Sequence, residues 1–315
     1  MERSNRRDFL KKAAAGSAAA GAALSSAGLF PRRVEGQAKD SPSIHYRDLG
    51  STGYKVSEVG FGAMNTRDAE LIHAAIDAGI NYLDTAHRYM NGANEEVVGS
   101  VMKTKRDKVF LSTKIPKQPY AEILRLMEIS LKRLQTDHVD LCFLHNNSTA
   151  EEILRDDHLK AFEEMKRKGM TRFIGISTHQ NQVEIIDAAI KTKVWEAVMV
   201  GYNYTSPPGV GEVIARAHKA GFAVVAMKTM LAIDTRRPLE TPAELKKGGM
   251  NAAQAALKWA LQNKSVDTTV PGMTTFEHLA QDLAVMGTRM GFLDRRALIR
   301  YAGLREGGAC GGVAG

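Results

Sequence analysis

Cysteine is scarce in this chain: two residues in 315, and poorly placed for each other. Cys142 sits in the apolar run Val139–Leu144, where a strand would bury it, and Cys310 sits in a glycine-rich tail. A disulfide needs the two α-carbons within about 7 Å, so a disulfide framework is not expected. No spacing of His, Cys and carboxylate residues suggests a metal site. A complete glycine-rich phosphate turn is missing too. Gly60-Phe61-Gly62-Ala63-Met64-Asn65 keeps only the first two glycines of G-x-G-x-x-G, which disfavours a doubly wound dinucleotide fold. The longest weakly apolar stretch, Ala13–Phe30, is too rich in Ala and Gly to read as a membrane span. A strong charge bias is also lacking. The formal +8 falls to +4 without residues 1–38, which leaves 36 basic against 32 acidic residues, so no nucleic-acid surface is expected.

The amino terminus carries its own message. Asn5-Arg6-Arg7-Asp8-Phe9-Leu10-Lys11 precedes the Ala/Gly/Ser stretch, and Gly36-Gln37-Ala38 supplies small residues for cleavage. The pattern resembles a twin-arginine export signal, a route that carries folded proteins. It implies a signal peptide over 1–38 cleaved near Ala38, the twin-arginine (Tat) export machinery as a partner, and a periplasmic mature protein. Residues 39–43 read as a linker, 44–303 as the folded unit and 304–315 as a flexible glycine-rich tail.

Within the folded unit, 44–49 and 54–57 flank the turn Gly50-Ser51-Thr52-Gly53, which predicts a short β-hairpin. Eight apolar segments follow: Val59–Gly62, Asn81–Asp84, Val109–Lys114, Val139–His145, Phe173–Ser177, Ala197–Tyr202, Ala223–Met227 and Asp267–Val270. Stretches of helical period separate them, at 68–78, 120–134, 150–168, 181–191, 210–220, 252–262 and 275–286. Gly79, Gly169 and Gly221 stand just past helix ends, where a left-handed residue is wanted. The alternation predicts an α/β fold, a (β/α)8 TIM barrel of about 250 residues with a short N-terminal hairpin cap.

Chemistry gathers where three successive strands end. Asp84 closes the second barrel strand, with Tyr89 shortly after it; Lys114 closes the third; His145 closes the fourth. Taken singly, each has an ordinary reading: Asp84 as a helix cap, Tyr89 as a loop aromatic, Lys114 as a rim cation, His145 as a satisfied core histidine. Their shared position at carboxyl ends that converge in space points to a proton-transfer site. A phenol ordinarily ionises near pH 10, and an adjacent ammonium favours the phenolate. A carboxylate keeps that ammonium protonated and in place. Such a tyrosine can give its proton to a carbonyl oxygen while a histidine orients the same oxygen.

Gly79-Ile80-Asn81-Tyr82-Leu83-Asp84-Thr85-Ala86, Tyr89 and Gly92-Ala93-Asn94-Glu95-Glu96-Val97-Val98-Gly99 resemble the signature of the aldo-keto reductases. So do Leu111-Ser112-Thr113-Lys114 and Leu144-His145-Asn146-Asn147, and the order holds over residues 44–286. The resemblance implies a barrel that reduces an aldehyde or ketone with NADP(H) or NAD(H), using Asp84, Tyr89, Lys114 and His145 as catalytic tetrad. It implies Met64 in the first loop beside the cofactor, and Ser177 and Thr178 at the nicotinamide amide. Met199 falls at a family glutamine, and Met227 near the aromatic that stacks on the ring. Lys228 supplies charge toward the phosphates. Pro271, Gly272, Met273 and Thr274, with His278, form the 2′-phosphate loop; Gly272 and His278 replace its usual lysine and arginine. Gln281 and Asp282 stand where Glu and Asn usually meet the adenine. Cys310 alone cannot build the iron–sulfur cluster that some exported relatives append.

Two other classes compete. A cofactor-binding regulatory or redox-sensing module could keep this scaffold, as channel-associated relatives do. A glycosidase would need two facing carboxylates, and only Asp84 is so placed. An exported reductase also needs its dinucleotide carried out bound, or a redox partner to renew it. His87, His138 and His179 read as loop or surface histidines, Trp195 and Trp259 as packing residues.

Overall fold

Short apolar strands and amphipathic helices alternate along the chain, and the alternation closes a barrel. The structure, a computed structural model, describes residues 44–230 and 251–301. The expected signal, linker and tail, Cys310 included, lie outside the described residues. A hairpin of β1 (Tyr46–Asp48) and β2 (Lys55–Ser57) comes first. Eight parallel strands follow: β3 (Phe61–Gly62), β4 (Tyr82–Asp84), β5 (Phe110–Pro116), β6 (Val139–Asn147), β7 (Thr171–Thr178), β8 (Ala197–Gly201), β9 (Ala223–Met227) and β10 (Thr268–Thr269). They pair in chain order. The seam closes through Gly60 N–H to Thr269 O (2.7 Å), Thr269 N–H to Glu58 O (3.0 Å) and Gly62 N–H to Pro271 O (3.0 Å). The (β/α)8 barrel and its hairpin are therefore as the sequence implies.

Strand alternation sorts the side chains. Tyr82, Phe110, Leu141, Phe143, Met199 and Val225 fill the barrel interior together with Leu49 and Val56 of the hairpin. Leu83, Leu111, Ile115, Cys142, Leu144, Ile174 and Val224 face outward into the larger cluster shared with the helices. The hairpin seals the amino-terminal end. Gly50 donates its N–H to the Asp267 carboxylate (2.9 Å), and Ser51 N–H reaches Gly221 O (2.9 Å). Gly50 is at φ +49, and a Cβ there would stand 2.4 Å from Ala223 N, so the turn needs glycine. With that end plugged, the carboxyl ends of the strands form the open face.

Four details differ from expectation, the first being a helix at Ala93–Lys105 between β4 and β5, where no helical period was read. The segments Val59–Gly62 and Asp267–Val270 form only two-residue ladders, because backbones press together at the seam; a Cβ on Gly62 would meet Val270 O at 2.7 Å. The stretch 150–168 is two helices, Ala150–Leu154 and Asp156–Arg167, broken where Arg155 is extended at ψ 131. Asp156 and Asp157 then open the second helix, where the helix dipole favours acids. The helix expected over 275–286 is helical from Phe276 to Leu283.

Helices Ala93–Lys105 and Tyr120–Leu134 cross closely at Gly99, where a Cβ would lie 2.1 Å from Arg133 O. Alanine in a helix interior is ordinarily favoured over glycine by about 1 kcal/mol. Here the clash is with backbone, which cannot swing aside, and overpacking costs about 1–3 kcal/mol. Gly99→Ala should therefore lower the melting temperature by several degrees in a thermal scan; an unchanged or raised value would show that the helices part freely.

Candidate active site

Lys114 lies on β5 with the inward parity of Phe110 and Ser112, so its side chain enters the barrel rather than the solvent. It is 1% exposed. Its ammonium has three partners: Asp84 Oδ2 at 2.5 Å, Thr85 O at 2.7 Å and the Tyr89 hydroxyl oxygen at 3.2 Å. Asp84 ends β4 opposite Ser112, whose hydroxyl donates to its other oxygen at 2.8 Å. Burial works against the Lys114 charge, but Asp84 and Tyr89 outweigh it and hold the amine above its ordinary range. Burial likewise pushes the Asp84 carboxyl up, against the pull of Lys114 and Ser112. The charged pair persists because each charge is multiply hydrogen-bonded.

Tyr89 reaches this ammonium from the loop after β4. The loop is sharply turned: Met90 and Asn91 have φ of +51° and +54°, and Gly92 follows at +96°. His145 enters from β6, in register with Pro116 of β5, and its ring meets the Tyr89 ring edge-on at 6.0 Å. Burial pushes the His145 imidazole down to about 3, and the charges of Lys114, His179, Arg88 and Lys117 push the same way. The histidine is therefore neutral near pH 7, with one ring N–H to donate. The structure brings together all four residues singled out from the strand ends.

The residues expected to hold a cofactor lie in several settings, some exposed and others buried. Met64 is exposed in the turn after β3. Ser177 and Thr178 end β7, fully buried; the Ser177 hydroxyl accepts from Asn146 N–H (2.8 Å), and Thr178 bonds the Asn147 and Gln180 carbonyls. Met199 pairs with Ser177 in register and is buried in the interior cluster, as is Met227 at the end of β9. Lys228 follows, exposed at φ +57. Beyond β10, Pro271 is buried, Gly272 and Thr274 are exposed, and Met273 turns into the outer core. His278 is exposed in the first turn of the helix Phe276–Leu283, its Nδ1 3.2 Å from the Thr274 hydroxyl. Gln281 bonds Asn251 and Glu277. Asp282 is buried, and burial pushes its carboxyl up to about 8.

Other participants were not legible as such. Ser112 and the Thr85 carbonyl complete the cage around Lys114 and Asp84. His87 is a loop histidine, as expected, and a partly buried one: its backbone N–H donates to Lys114 O at 3.0 Å, and its ring meets the Ser130 hydroxyl at 2.9 Å. Glu95 and Arg133 lie beneath the same loop. Asn94 and Glu95 stood in the signature stretch, but nothing in their spacing assigned them a task.

A depressed imidazole has a signed effect on stability. Between pH 6.5 and about 3 the unfolded chain takes a proton at His145 that the folded chain refuses, so this contribution is lost as pH falls below 6.5. Wild type should lose stability relative to His145→Gln by on the order of 2 kcal/mol between pH 7 and pH 4.5, measured by urea unfolding. Parallel curves would show that the histidine protonates in the folded state.

The comparisons agree with this geometry. The family model for the Aldo/keto reductase family matches residues 58–290. The uncharacterized oxidoreductase YqkF of Bacillus subtilis (strain 168) is 27% identical over 286 residues, covering 77% of this chain and 91% of its own. Methylglyoxal reductase DkgB of Escherichia coli O157:H7 is 27% identical over 247 residues, covering 76% and 90%. Among solved structures, the holo form of the aldo-keto reductase AKR11C1 from Bacillus halodurans superposes with a TM-score of 0.67 at 27% identity, covering 82% of this chain and 96% of that one. An aldo-keto reductase from Klebsiella pneumoniae in complex with NADPH shares the fold at 23% identity and TM-score 0.70, covering 82% and 96%. The chain belongs to the aldo/keto reductase family of enzymes.

Proposed function

We propose that this protein reduces the carbonyl of a small aldehyde or ketone with a nicotinamide dinucleotide, and that Tyr89 is the general acid. The observation that carries this reading is the Tyr89 hydroxyl 3.2 Å from an ammonium that is itself bound to a buried carboxylate. When bound, the nicotinamide supplies the hydride that reaches the carbonyl carbon. The Tyr89 O–H donates its proton to the carbonyl oxygen. The charge left on the tyrosine oxygen is met at once by the Lys114 ammonium, already in place and shielded from water. Neutral His145 donates its ring N–H to the same carbonyl oxygen and so aims it. Asp84 touches no substrate; it keeps Lys114 charged and fixed. The relative named for methylglyoxal reduction supports a small carbonyl as the substrate class.

The residues present fit the dinucleotide. Exposed Lys228, exposed Thr274 and His278, and the start of the helix Phe276–Leu283 lie on the open face, offering an amine and helix N–H groups to phosphate. Ser177, Thr178, Met199 and Met227 would border the nicotinamide half, and Met64, in the first loop after a barrel strand, would lie beside the cofactor. Pro271, Gly272, Met273, Gln281 and Asp282 would shape the adenosine half. Either NADP(H) or NAD(H) suits this set, since neither a lysine nor an arginine marks the loop.

The leader extends the proposal to location. Arg6-Arg7 and the Ala-rich stretch after them favour export of the folded protein by the twin-arginine route to the periplasm, with residues 1–38 removed. The dinucleotide would then leave the cytoplasm bound, or a redox partner would renew it.

Two measurements test these readings. Single-turnover hydride transfer should fall by about 100-fold or more in Tyr89→Phe, and Lys114→Met should slow it as well. A Tyr89→Phe enzyme at the wild-type rate would remove the tyrosine from the mechanism. In the full-length chain, changing both Arg6 and Arg7 to Lys should confine the protein to the cytoplasmic fraction; undiminished export would overturn the assigned route.

A further inference from the structure

The loop that carries Tyr89 is held from below by a charged pair to which the proposed chemistry assigns no task. Glu95 is completely buried in the first turn of the helix Ala93–Lys105. One carboxylate oxygen accepts from the Thr113 hydroxyl at 2.8 Å; the other faces Arg133 Nη1 at 3.4 Å. The same Arg133 nitrogen donates to the backbone carbonyl of His87 at 3.3 Å. Gly92 lies directly against the guanidinium, where a Cβ would stand 2.3 Å from the Arg133 central carbon. Arg133 thus touches the loop at both ends, at residue 87 and residue 92. Between these contacts the backbone carries Tyr89 and two non-glycine residues with positive φ, a conformation that persists only where its surroundings impose it.

We propose that Arg133, anchored by the buried Glu95 carboxylate, is a positioning residue that fixes the Tyr89 hydroxyl against Lys114. The inference rests on reading Tyr89 as the acid. Its geometry explains why glycine stands at position 92, since a side chain there would displace the guanidinium. It also accounts for the partners of the buried Glu95: burial holds that carboxyl above its ordinary range, while hydrogen bonds from Thr113 and Ser130 and the charge of Arg133 pull against burial without overcoming it. The helix start beneath it favours the same negative charge. Thr113 and Lys114 are consecutive residues of β5 facing opposite sides of the barrel wall, so one strand ties the anchor to the ammonium.

A double-mutant cycle decides the matter. Arg133→Met is made in wild type and in Tyr89→Phe, and single-turnover hydride transfer and dinucleotide affinity, by fluorescence, are read in each. In wild type, Arg133→Met should slow hydride transfer by about tenfold to a hundredfold, with dinucleotide affinity changed by no more than about twofold. In the Tyr89→Phe background the same substitution should change the residual rate by less than about twofold, because its effect passes through the phenol. Arg133→Lys, which keeps the charge opposite Glu95, should recover part of the rate and serves the same cycle should Arg133→Met fail to fold. An equal loss in both backgrounds, or no loss in wild type, would overturn the proposal while leaving Tyr89 as the acid. A Tyr89→Phe enzyme as fast as wild type would overturn both.

Discussion

An ammonium inside a barrel wall is the constraint on which this molecule is organised. Lys114 has almost no contact with water, and a bare charge there would be strongly unfavourable. Asp84, the Thr85 carbonyl and the Tyr89 oxygen satisfy its three N–H groups. That arrangement leaves no spare donor and fixes the direction in which the charge acts. A buried ion pair of this kind adds little to stability by itself. In the proposed reaction its value is that the charge needs no rearrangement when a proton leaves the neighbouring phenol.

The rest of the site follows from placing a cation there. The cation and the basic residues around the mouth act with burial to keep His145 neutral, which makes it a donor rather than a second cation. The tyrosine must come to the lysine, and the loop after β4 makes a tight left-handed turn to bring it. On the outer side of the same strand, Thr113 reaches Glu95, and Glu95 faces Arg133 under that loop. The barrel wall thus has ion pairs on both faces of β5, Lys114 with Asp84 inside and Arg133 with Glu95 outside. Aldo/keto reductase membership and the active-site geometry therefore meet in a single element.

Much of the fold was legible because its signals are periodic. Alternating apolar strands and amphipathic helices, with Gly79, Gly169 and Gly221 at φ of +104°, +71° and +90°, gave the barrel and its helix ends. The break at Arg155 was not read, since the polar run Arg155-Asp156-Asp157-His158 that marks it also fits the exposed face of one continuous helix. Asp84, Tyr89, Lys114 and His145 could be found because charged or polar residues at the ends of apolar strands are conspicuous. Glu95, Arg133 and His87 could not, because in sequence each looks like an ordinary polar residue of a helix or loop. The residues expected to hold a cofactor fall between: their positions followed from the family resemblance, but the burial of Met273 in the outer core and of Asp282 in the helix Phe276–Leu283 depends on packing.

The sequence by itself determined the alternation of elements, the sealing hairpin turn that only glycine permits at position 50, and the chemical types available at the strand ends. These are local properties, set by side-chain period and backbone sterics within a few residues. Only the tertiary structure decided which of those groups touch. Strand register sets Asp84 opposite Ser112 and His145 opposite Pro116, and the helix crossing at Gly99 brings Arg133 beneath the Tyr89 loop. Contact between residues 25 to 46 positions apart arises from barrel closure and helix packing, which no local pattern encodes.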